Sequence, residues 1–426
     1  MSASSKTTIR DTTPRAVVVL GAGQAAVSAI ATLRQSGYEG SITLVGEEPF
    51  LPYQRPPLSK AYLKGELAEE RLYFKPSSWY RDNDIELLLS TRANDIDRAA
   101  RQVALEHGGY LDYDALVIAT GSRARKLNLP GVGLDNVFDL RSLTDVERIR
   151  PKMIDGLDVV VVGAGYIGLE AAAVARKMGL NVTVLEYAPR ALSRVTSRLV
   201  SEFYEKEHRS QGVDIRPGSR LEELVGENGR VSGARMRDGS VLHADVVLVG
   251  IGIVPNEELA SASGLQCDNG IVVDRDARTG DPNIYAAGDC SNRPLVHYGR
   301  HGRLESVHNA IEQGKLAAAA ILGKPRPVED CPWFWSDQYD IKLQIAGLSA
   351  GFDEFVVRSD PGSRRFAVFY LKDSKLIAAD AVNAPQEFVS SKRLIVSRPE
   401  VDRAALADPT VPMKQLSLGP GSPPQQ

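Results

Sequence analysis

Ala16-Val-Val-Val-Leu-Gly-Ala-Gly-Gln-Ala-Ala26 is the stretch on which the fold turns. Val17, Val18, Val19 and Leu20 form an apolar, β-branched run, as a parallel strand requires when both of its faces are covered. Two glycines follow at once. Gly21 permits a tight turn, and Gly23 lets a pyrophosphate approach the main chain. Ala26 stands at the third small position, where a helix packs closely on a strand. A helix over 24–35 then aims its free N–H groups and positive dipole end at that pyrophosphate. Glycine turns between strand and helix are common, but this chain carries the motif twice.

The second copy is Asp158-Val-Val-Val-Val-Gly-Ala-Gly-Tyr-Ile-Gly168. Here Gly163, Gly165 and Gly168 are all present, and an Ala-rich helix is expected over 166–178. Each unit continues into a strand that ends near an acid. Strand 41–45 leads to Glu47, about 26 residues after Gly21, and strand 181–185 leads to Glu186, about 23 residues after Gly163, the spacing of a ribose-binding carboxylate. Glu47 could also be a solvated loop residue. A carboxylate at Glu186 binds a free 2′-hydroxyl and repels a 2′-phosphate, so the second unit is expected to prefer NADH to NADPH. Arg190 and Arg194 lie just beyond and are the candidates for binding a phosphate instead.

Between and after these units come further candidates. Pro52-Tyr-Gln-Arg-Pro-Pro-Leu-Ser-Lys60 holds three prolines, which forbid a regular helix or central strand. The loop offers Arg55 and Lys60 as cofactor-site cations and Ser59 as a helix cap. Glu170 is either ordinary compensation of a helix dipole or the partner of Lys60. Segments 101–106 and 110–113 should pair through His107-Gly-Gly, and Arg235–Arg237 and 241–244 through Asp238-Gly239. Strand 115–119 closes with Thr120-Gly121, and Arg123 follows. Strand 244–249 ends in Gly250-Ile-Gly252, a loop expected to face the nicotinamide, since ligands bind beyond strand carboxyl ends. Gly288-Asp289 closes strand 284–287, Asp289 being suited to accept hydrogen bonds from sugar or ribityl hydroxyls. A helix over 305–322 would offer the Val307 N–H to the same ligand.

The expected architecture is α/β, with two Rossmann-like nucleotide-binding domains and a C-terminal α+β domain. A disordered leader is expected over 1–14, one nucleotide-binding domain over 15–120 and 250–325, and a second over 121–249. The C-terminal domain would occupy 326–410 and a flexible tail 411–426. The chain has 426 residues, 43% hydrophobic and 25% charged, with a net charge of −3. That charge gives no reason to expect nucleic acid or an anionic membrane as partner. No apolar run approaches the roughly 20 residues that span a bilayer, and a cytoplasmic location is expected. Cys267, Cys290 and Cys331 are too far apart to suggest a metal site, and none is expected.

The two glycine turns, Thr120-Gly121 and Ala286-Ala-Gly-Asp289 together resemble the two-dinucleotide-binding flavoprotein fold of glutathione reductase. Arg55-Pro-Pro-Leu-Ser-Lys60, Gly165-Tyr-Ile-Gly-Leu-Glu170 and Trp333-Phe-Trp-Ser-Asp337 narrow this. They look like the ferredoxin reductases of bacterial oxygenase systems, and the resemblance runs from about residue 15 to about residue 410. It implies an FAD site formed by Gly21, Ala22, Gly23, Gln24, Ala25, Glu47, Arg55, Lys60, Ala93, Thr120, Gly121, Arg123, Gly288, Asp289, Val307 and Trp335. NADH would be held by Gly163, Gly165, Tyr166, Ile167, Gly168, Glu186, Arg190, Arg194, Gly250 and Gly252. Lys60 and Glu170 would be the catalytic pair beside the flavin. The Trp333 and Trp335 region would form an aromatic wall there, a hydrophobic plug between domains, or both.

The implied activity passes electrons from NADH through FAD to a small acidic [2Fe-2S] ferredoxin, which feeds a cytochrome P450 or a ring-hydroxylating dioxygenase. Arg300, Arg303, Arg364, Arg365, Lys392 and Arg393 are the candidate docking cations. Residues 41–70 contain no Cys, which excludes the disulfide-reductase branch of the fold, with its C-x₄-C pair there. Two alternatives remain: the same chemistry with oxygen, quinone or nitrite as acceptor, or a non-enzymatic flavoprotein like apoptosis-inducing factor.

Overall fold

A computed structural model describes residues 14–417. Except for Pro14, the expected leader lies outside the described residues, as does the part of the expected tail from 418 onward. The chain divides into two compact units. One runs to Tyr53 and adds Phe74–Gly121 and Pro255–Val328; the other holds Gln54–Tyr73, Ser122–Val254 and the segment from Glu329.

The first unit is built on a five-stranded parallel sheet in the order Ile284–Ala286, Ala115–Ile118, Ala16–Leu20, Ser41–Val45, Ile85–Leu88. Val17, Val18, Val19 and Leu20 are all buried, because helices and loops cover both faces. Each such side chain contributes roughly 1.5–3 kcal/mol. Register decides where the loops gather. Leu20 stands opposite Val45 and Ile118, and Ile118 opposite Ala286, so four strands end level. Gly21, Gly46, Ala119 and Ala287 therefore leave the sheet at one edge. The helix Gln24–Gln35 packs on the helix Val307–Ile321. A Cβ on Gly314 would stand 2.5 Å from the Ala25 carbonyl oxygen, so the two backbones meet at a glycine. The helix expected from 305 starts at Val307, because Ser306 caps it by accepting from the Asn309 N–H at 3.1 Å.

The second unit repeats the plan. Its parallel sheet runs Asp214–Pro217, Asn181–Glu186, Asp158–Val162, Val246–Val249, Val137–Asp139. Val162 stands opposite Leu185 and Val249, so Gly163, Glu186 and Gly250 leave together. Each unit also carries a three-stranded antiparallel sheet. Gln102–Leu105 and Tyr110–Asp112 form the first expected hairpin, and Arg230–Met236 and Val241–His243 the second, with Gly239 at φ +85 in its turn.

The remainder of the second unit is an antiparallel sheet in the order Trp333–Gln338, Ile341–Gly347, Lys375–Val382, Phe366–Lys372, Glu354–Arg358, with the helix Pro385–Ser397 against it. The tail expected from 411 is not seen in its described part, 411–417. Met413–Ser417 forms a 3₁₀ turn, and Met413 and Leu416 are buried with Phe388, Leu394 and Leu406. Val411 packs against the same cluster, and Arg358 donates to its carbonyl at 2.6 Å, so apolar and polar contacts hold the segment together. No helix among the described residues is long and apolar enough to cross a membrane.

Candidate functional site

In the first unit the glycine turn is shaped by what surrounds it. Gly21 has φ +111, and a Cβ there would collide with the Ala119 carbonyl oxygen. Only glycine fits so close to the strand that precedes Thr120-Gly121. A Cβ on Gly23, by contrast, would meet nothing within 4 Å. That open space lies at the N-terminus of Gln24–Gln35, which has no side-chain cap and no acid in its first turn. Helices beginning at Leu143, Arg198 and Val307 all have serine caps. An uncapped N-terminus in a glycine cradle suits an anionic pyrophosphate.

Other predicted residues converge on this turn. A Cβ on Gly46 would lie 3.0 Å from the Ala22 Cβ, and one on Gly288 3.1 Å from the Ala25 Cβ. Glu47 follows Gly46 and is exposed, 3.6 Å from Arg92, which precedes Ala93. The Gly288 N–H donates to Gln313 Oε1 at 2.9 Å, fixing the turn that presents Asp289. Asn256 was not foreseen. Its side-chain amide donates to the Thr120 carbonyl at 2.9 Å, and the Thr120 hydroxyl donates to the Asn256 carbonyl at 2.7 Å. Of the docking candidates here, Arg300 is exposed. Arg303 is a correction: its side chain is 9% exposed and spent on Glu305 at 2.7 Å and the Asp289 carbonyl at 3.4 Å.

The second unit has the same cradle with one more glycine. Gly163 has φ +107, and a Cβ there would stand 2.5 Å from the Gly250 carbonyl oxygen; one on Gly168 would strike the Gly163 carbonyl; one on Gly165 would meet nothing within 4 Å. The helix Tyr166–Lys177 is again uncapped, with no acid in its first turn. Glu186 reaches back into the turn, accepting from the Ala164 N–H with one oxygen and the Ala188 N–H with the other, both at 2.7 Å. Arg190 is occupied by the Ser193 and Ser197 carbonyls and the Ser201 hydroxyl. Arg194 is exposed, and its guanidinium lies where a Cβ on Gly252 would be 3.1 Å away. Ile167 is 36% exposed at the turn, whereas Tyr166 is packed on Phe334 with ring centroids 4.5 Å apart.

Arg55, Lys60, Arg123 and Trp335 also belong to the second unit. Arg55 donates to the Arg141 carbonyl at 2.9 Å, Arg123 is exposed, and Trp335 is half-buried beside Trp333, 5.6 Å between centroids. Lys60 Nζ stands 2.6 Å from Glu170 Oε2, with Glu170 only 4% exposed. Glu170 is thus not dipole compensation: it sits beyond the first turn, buried. Ser59 caps nothing; its hydroxyl donates to the same Glu170 oxygen at 2.6 Å. Strand alternation does the rest. On Trp333–Gln338, Trp333 and Trp335 share one face while Ser336 and Gln338 are buried on the other, and Ser336 donates to Glu170 Oε1 at 2.7 Å. Ser336 and Gln338 were missed, although period-2 alternation beside two tryptophans was the available signal. A second buried carboxylate, Asp380, accepts from Thr196 and, at 2.5 Å, from Tyr370. Among the docking candidates here, Arg365 and Arg393 are exposed, Arg364 is bonded to Asp340 at 2.6 Å, and Lys392 to Asp330 at 2.6 Å.

No disulfide partner serves these sites. Cys290 and Cys331 are buried thiols, and burial pushes the Cys267 thiol up to about 11.

Comparison with known proteins accords with this geometry. The family described as pyridine nucleotide-disulphide oxidoreductase matches residues 15–314, and a reductase C-terminal family matches residues 333–417. The chain is 46% identical over 405 residues to putidaredoxin reductase of Pseudomonas putida, covering 94% of this chain and 96% of that one. Among solved structures it resembles the reductase in a covalent putidaredoxin reductase–putidaredoxin complex, with TM-score 0.93 and 45% identity, covering 95% of this chain and 98% of that one. It also resembles a ferredoxin reductase for the CYP199A2 system from Rhodopseudomonas palustris, with TM-score 0.91 and 42% identity, covering 94% and 99% respectively.

Proposed function

We propose that this chain, which belongs to the pyridine nucleotide-disulphide oxidoreductase family, is an FAD-dependent NADH:ferredoxin reductase. The observation that carries the reading is the loop after the first nucleotide unit. Where a disulfide reductase has a cysteine pair, this chain sets Lys60 on a buried Glu170. Electrons therefore have no thiol to pass through. The acceptor is a small acidic [2Fe-2S] ferredoxin that serves a cytochrome P450 or a ring-hydroxylating dioxygenase, and the enzyme works in the cytoplasm, where NADH is supplied.

The donor sets fit both dinucleotides. The residues proposed for FAD are Gly21, Ala22, Gly23, Gln24, Ala25, Glu47, Ala93, Thr120, Gly121, Gly288, Asp289 and Val307, with Arg55, Lys60, Arg123 and Trp335. Gly163, Gly165, Tyr166, Ile167, Gly168, Glu186, Arg190, Arg194, Gly250 and Gly252 would hold NADH. Bound FAD supplies the chemistry, accepting a hydride from NADH and returning the electrons singly. The chain supplies position and field. The uncapped helix ends each offer about half a positive charge to a pyrophosphate. Lys60 offers a full one, and Glu170 fixes where it stands.

The test is anaerobic mixing with NADH, followed by a small [2Fe-2S] ferredoxin from the same genome. The flavin band should bleach, and two equivalents of ferredoxin should then be reduced, one electron each. Bleaching with no transfer to any iron–sulfur protein would overturn the reading and favour another acceptor.

A further inference from the structure

A file of hydrogen bonds runs inward from Tyr339 to Glu170. Tyr339 Oη lies 3.0 Å from His208 Nδ1, and His208 Nε2 lies 2.8 Å from Gln338 Oε1. The Gln338 amide donates to Ser336 Oγ at 3.1 Å, and Ser336 donates to Glu170 Oε1 at 2.7 Å. His208, Gln338, Ser336 and Glu170 are all buried. They come from three segments: Glu170 from the helix Tyr166–Lys177, His208 from Arg198–Ser210, and the others from the strand Trp333–Gln338 or just after it.

The polarity of the file is forced from its inner end. A carboxylate only accepts, so Ser336 must donate to it. The Ser336 oxygen then takes an N–H of Gln338, which turns the Gln338 carbonyl toward His208. His208 must therefore carry its proton on Nε2, and its bare Nδ1 accepts from Tyr339. Every donor thus points toward Glu170. Burial pushes His208 down to about 4, so the ring stays neutral at the pH where the enzyme works and holds one tautomer. The file does not conduct protons. Passing one through Gln338 would require its amide to become an imidic acid.

We propose that Ser336, Gln338 and His208 are positioning residues for the Lys60–Glu170 pair, and that through it they set the reduction potential of the flavin. This rests on the reading of Lys60 as the flavin-side cation. Glu170 divides its charge between two oxygens: one is held by Ser336, and the other by Ser59 and Lys60. When the Ser336 donor is lost, Glu170 draws Lys60 more tightly to itself. Less of the Lys60 charge is then available to a reduced flavin, and the potential falls.

Two measurements test this. In the apoprotein, ¹⁵N NMR of the His208 ring should show Nε2 protonated and Nδ1 bare from pH 7 down to about pH 5, a range that follows from burial disfavouring the charged ring. The opposite tautomer, or a doubly protonated ring at neutral pH, overturns the file. In the FAD-loaded enzyme, Ser336→Ala and His208→Leu should each shift the flavin equilibrium about threefold against reduction, roughly 15 mV for a two-electron couple. His208→Gln, which can still donate an N–H to Gln338, should restore most of the loss. If Lys60→Met lowers the potential but Ser336→Ala and His208→Leu do not, the positioning role is overturned and the reading of Lys60 stands. If Lys60→Met leaves the potential unchanged, the reading of Lys60 falls and takes the positioning role with it.

Discussion

Glu170 Oε2 and Lys60 Nζ stand 2.6 Å apart across 110 residues of chain, and the two side chains are unequally placed, Glu170 being 4% exposed and Lys60 22%. That inequality sets the order of two substitutions. Lys60→Met leaves a buried carboxylate with only the Ser59 and Ser336 hydroxyls, whereas Glu170→Gln leaves a lysine with a route to water. Stranding a buried charge is the costlier error. Lys60→Met should therefore destabilise the apoprotein by about 2 kcal/mol, below the usual range for a fully buried pair because two hydroxyls remain. Glu170→Gln should cost less. Urea unfolding of both variants checks the order, and the reverse ranking would show that Glu170 does not depend on Lys60.

The glycines separate folding from binding. Gly23→Ala and Gly165→Ala place a methyl group where nothing lies within 4 Å, at φ −98 and −78, values any residue adopts. Unfolding free energies should stay within about 0.5 kcal/mol of the parent. FAD retention should fall for Gly23→Ala, and the KM for NADH should rise for Gly165→Ala, because the methyl group occupies the space left for a pyrophosphate. Gly163→Ala is the contrast. At φ +107, with Gly250 O 2.5 Å away, it should lose roughly 3 kcal/mol or fail to accumulate. Normal NADH binding by Gly165→Ala would mean that this turn is not the cradle.

Glu186 should govern the choice between NADH and NADPH. Its carboxylate is pinned by two backbone N–H groups at 2.7 Å, so its charge is fixed at the mouth of the second glycine turn. Arg190 is occupied by loop oxygens, and of the two arginines only Arg194 is exposed. Glu186→Ala should lower kcat/KM for NADH by about tenfold, near 1.4 kcal/mol, while kcat/KM for NADPH holds or rises. Steady-state kinetics with both donors measure the ratio. A ratio unchanged in Glu186→Ala would place the discrimination elsewhere.

Both glycine turns were legible because apolar strand, small residues and acid lie within about 30 residues of one another, the span of a βαβ unit. The strands 16–20 and 41–45 could be read to the residue for the same local reason. What could not be read was long-range and polar. Ser59 reads as a cap until Glu170 arrives from elsewhere in the chain. Ser336 and Gln338 carry no local sign of their burial beyond strand alternation, because their partners, Glu170 and His208, come from distant segments of the chain. Arg303 reads as a surface cation, and only its bonds to Glu305 and the Asp289 carbonyl show it to be enclosed.

Two buried groups of the second unit should pull its stability in opposite directions with pH. Burial lowers His208 from 6.5 to about 4, so the unfolded chain binds the proton more readily. Its contribution is present above pH 6.5 and is lost as pH falls through about 4. Burial raises Asp380 from 3.8 to about 6, and the hydroxyls of Thr196 and Tyr370 offset this only in part. Its contribution is therefore full below pH 3.8 and is lost as pH rises through about 6. Each amounts to about 3 kcal/mol, so in the parent protein they should nearly cancel between pH 4 and 6. Single substitutions would separate them. Asp380→Asn can still accept from Thr196 and Tyr370; it should expose the histidine slope, losing stability as pH falls from 6.5 toward 4, and it should be at least as stable as the parent at pH 8. His208→Gln should expose the opposite slope, losing stability as pH rises from 4 to 6. Urea unfolding of the apoproteins across this range measures both. Parallel profiles for parent and Asp380→Asn would show that Asp380 titrates like an ordinary carboxyl despite its burial.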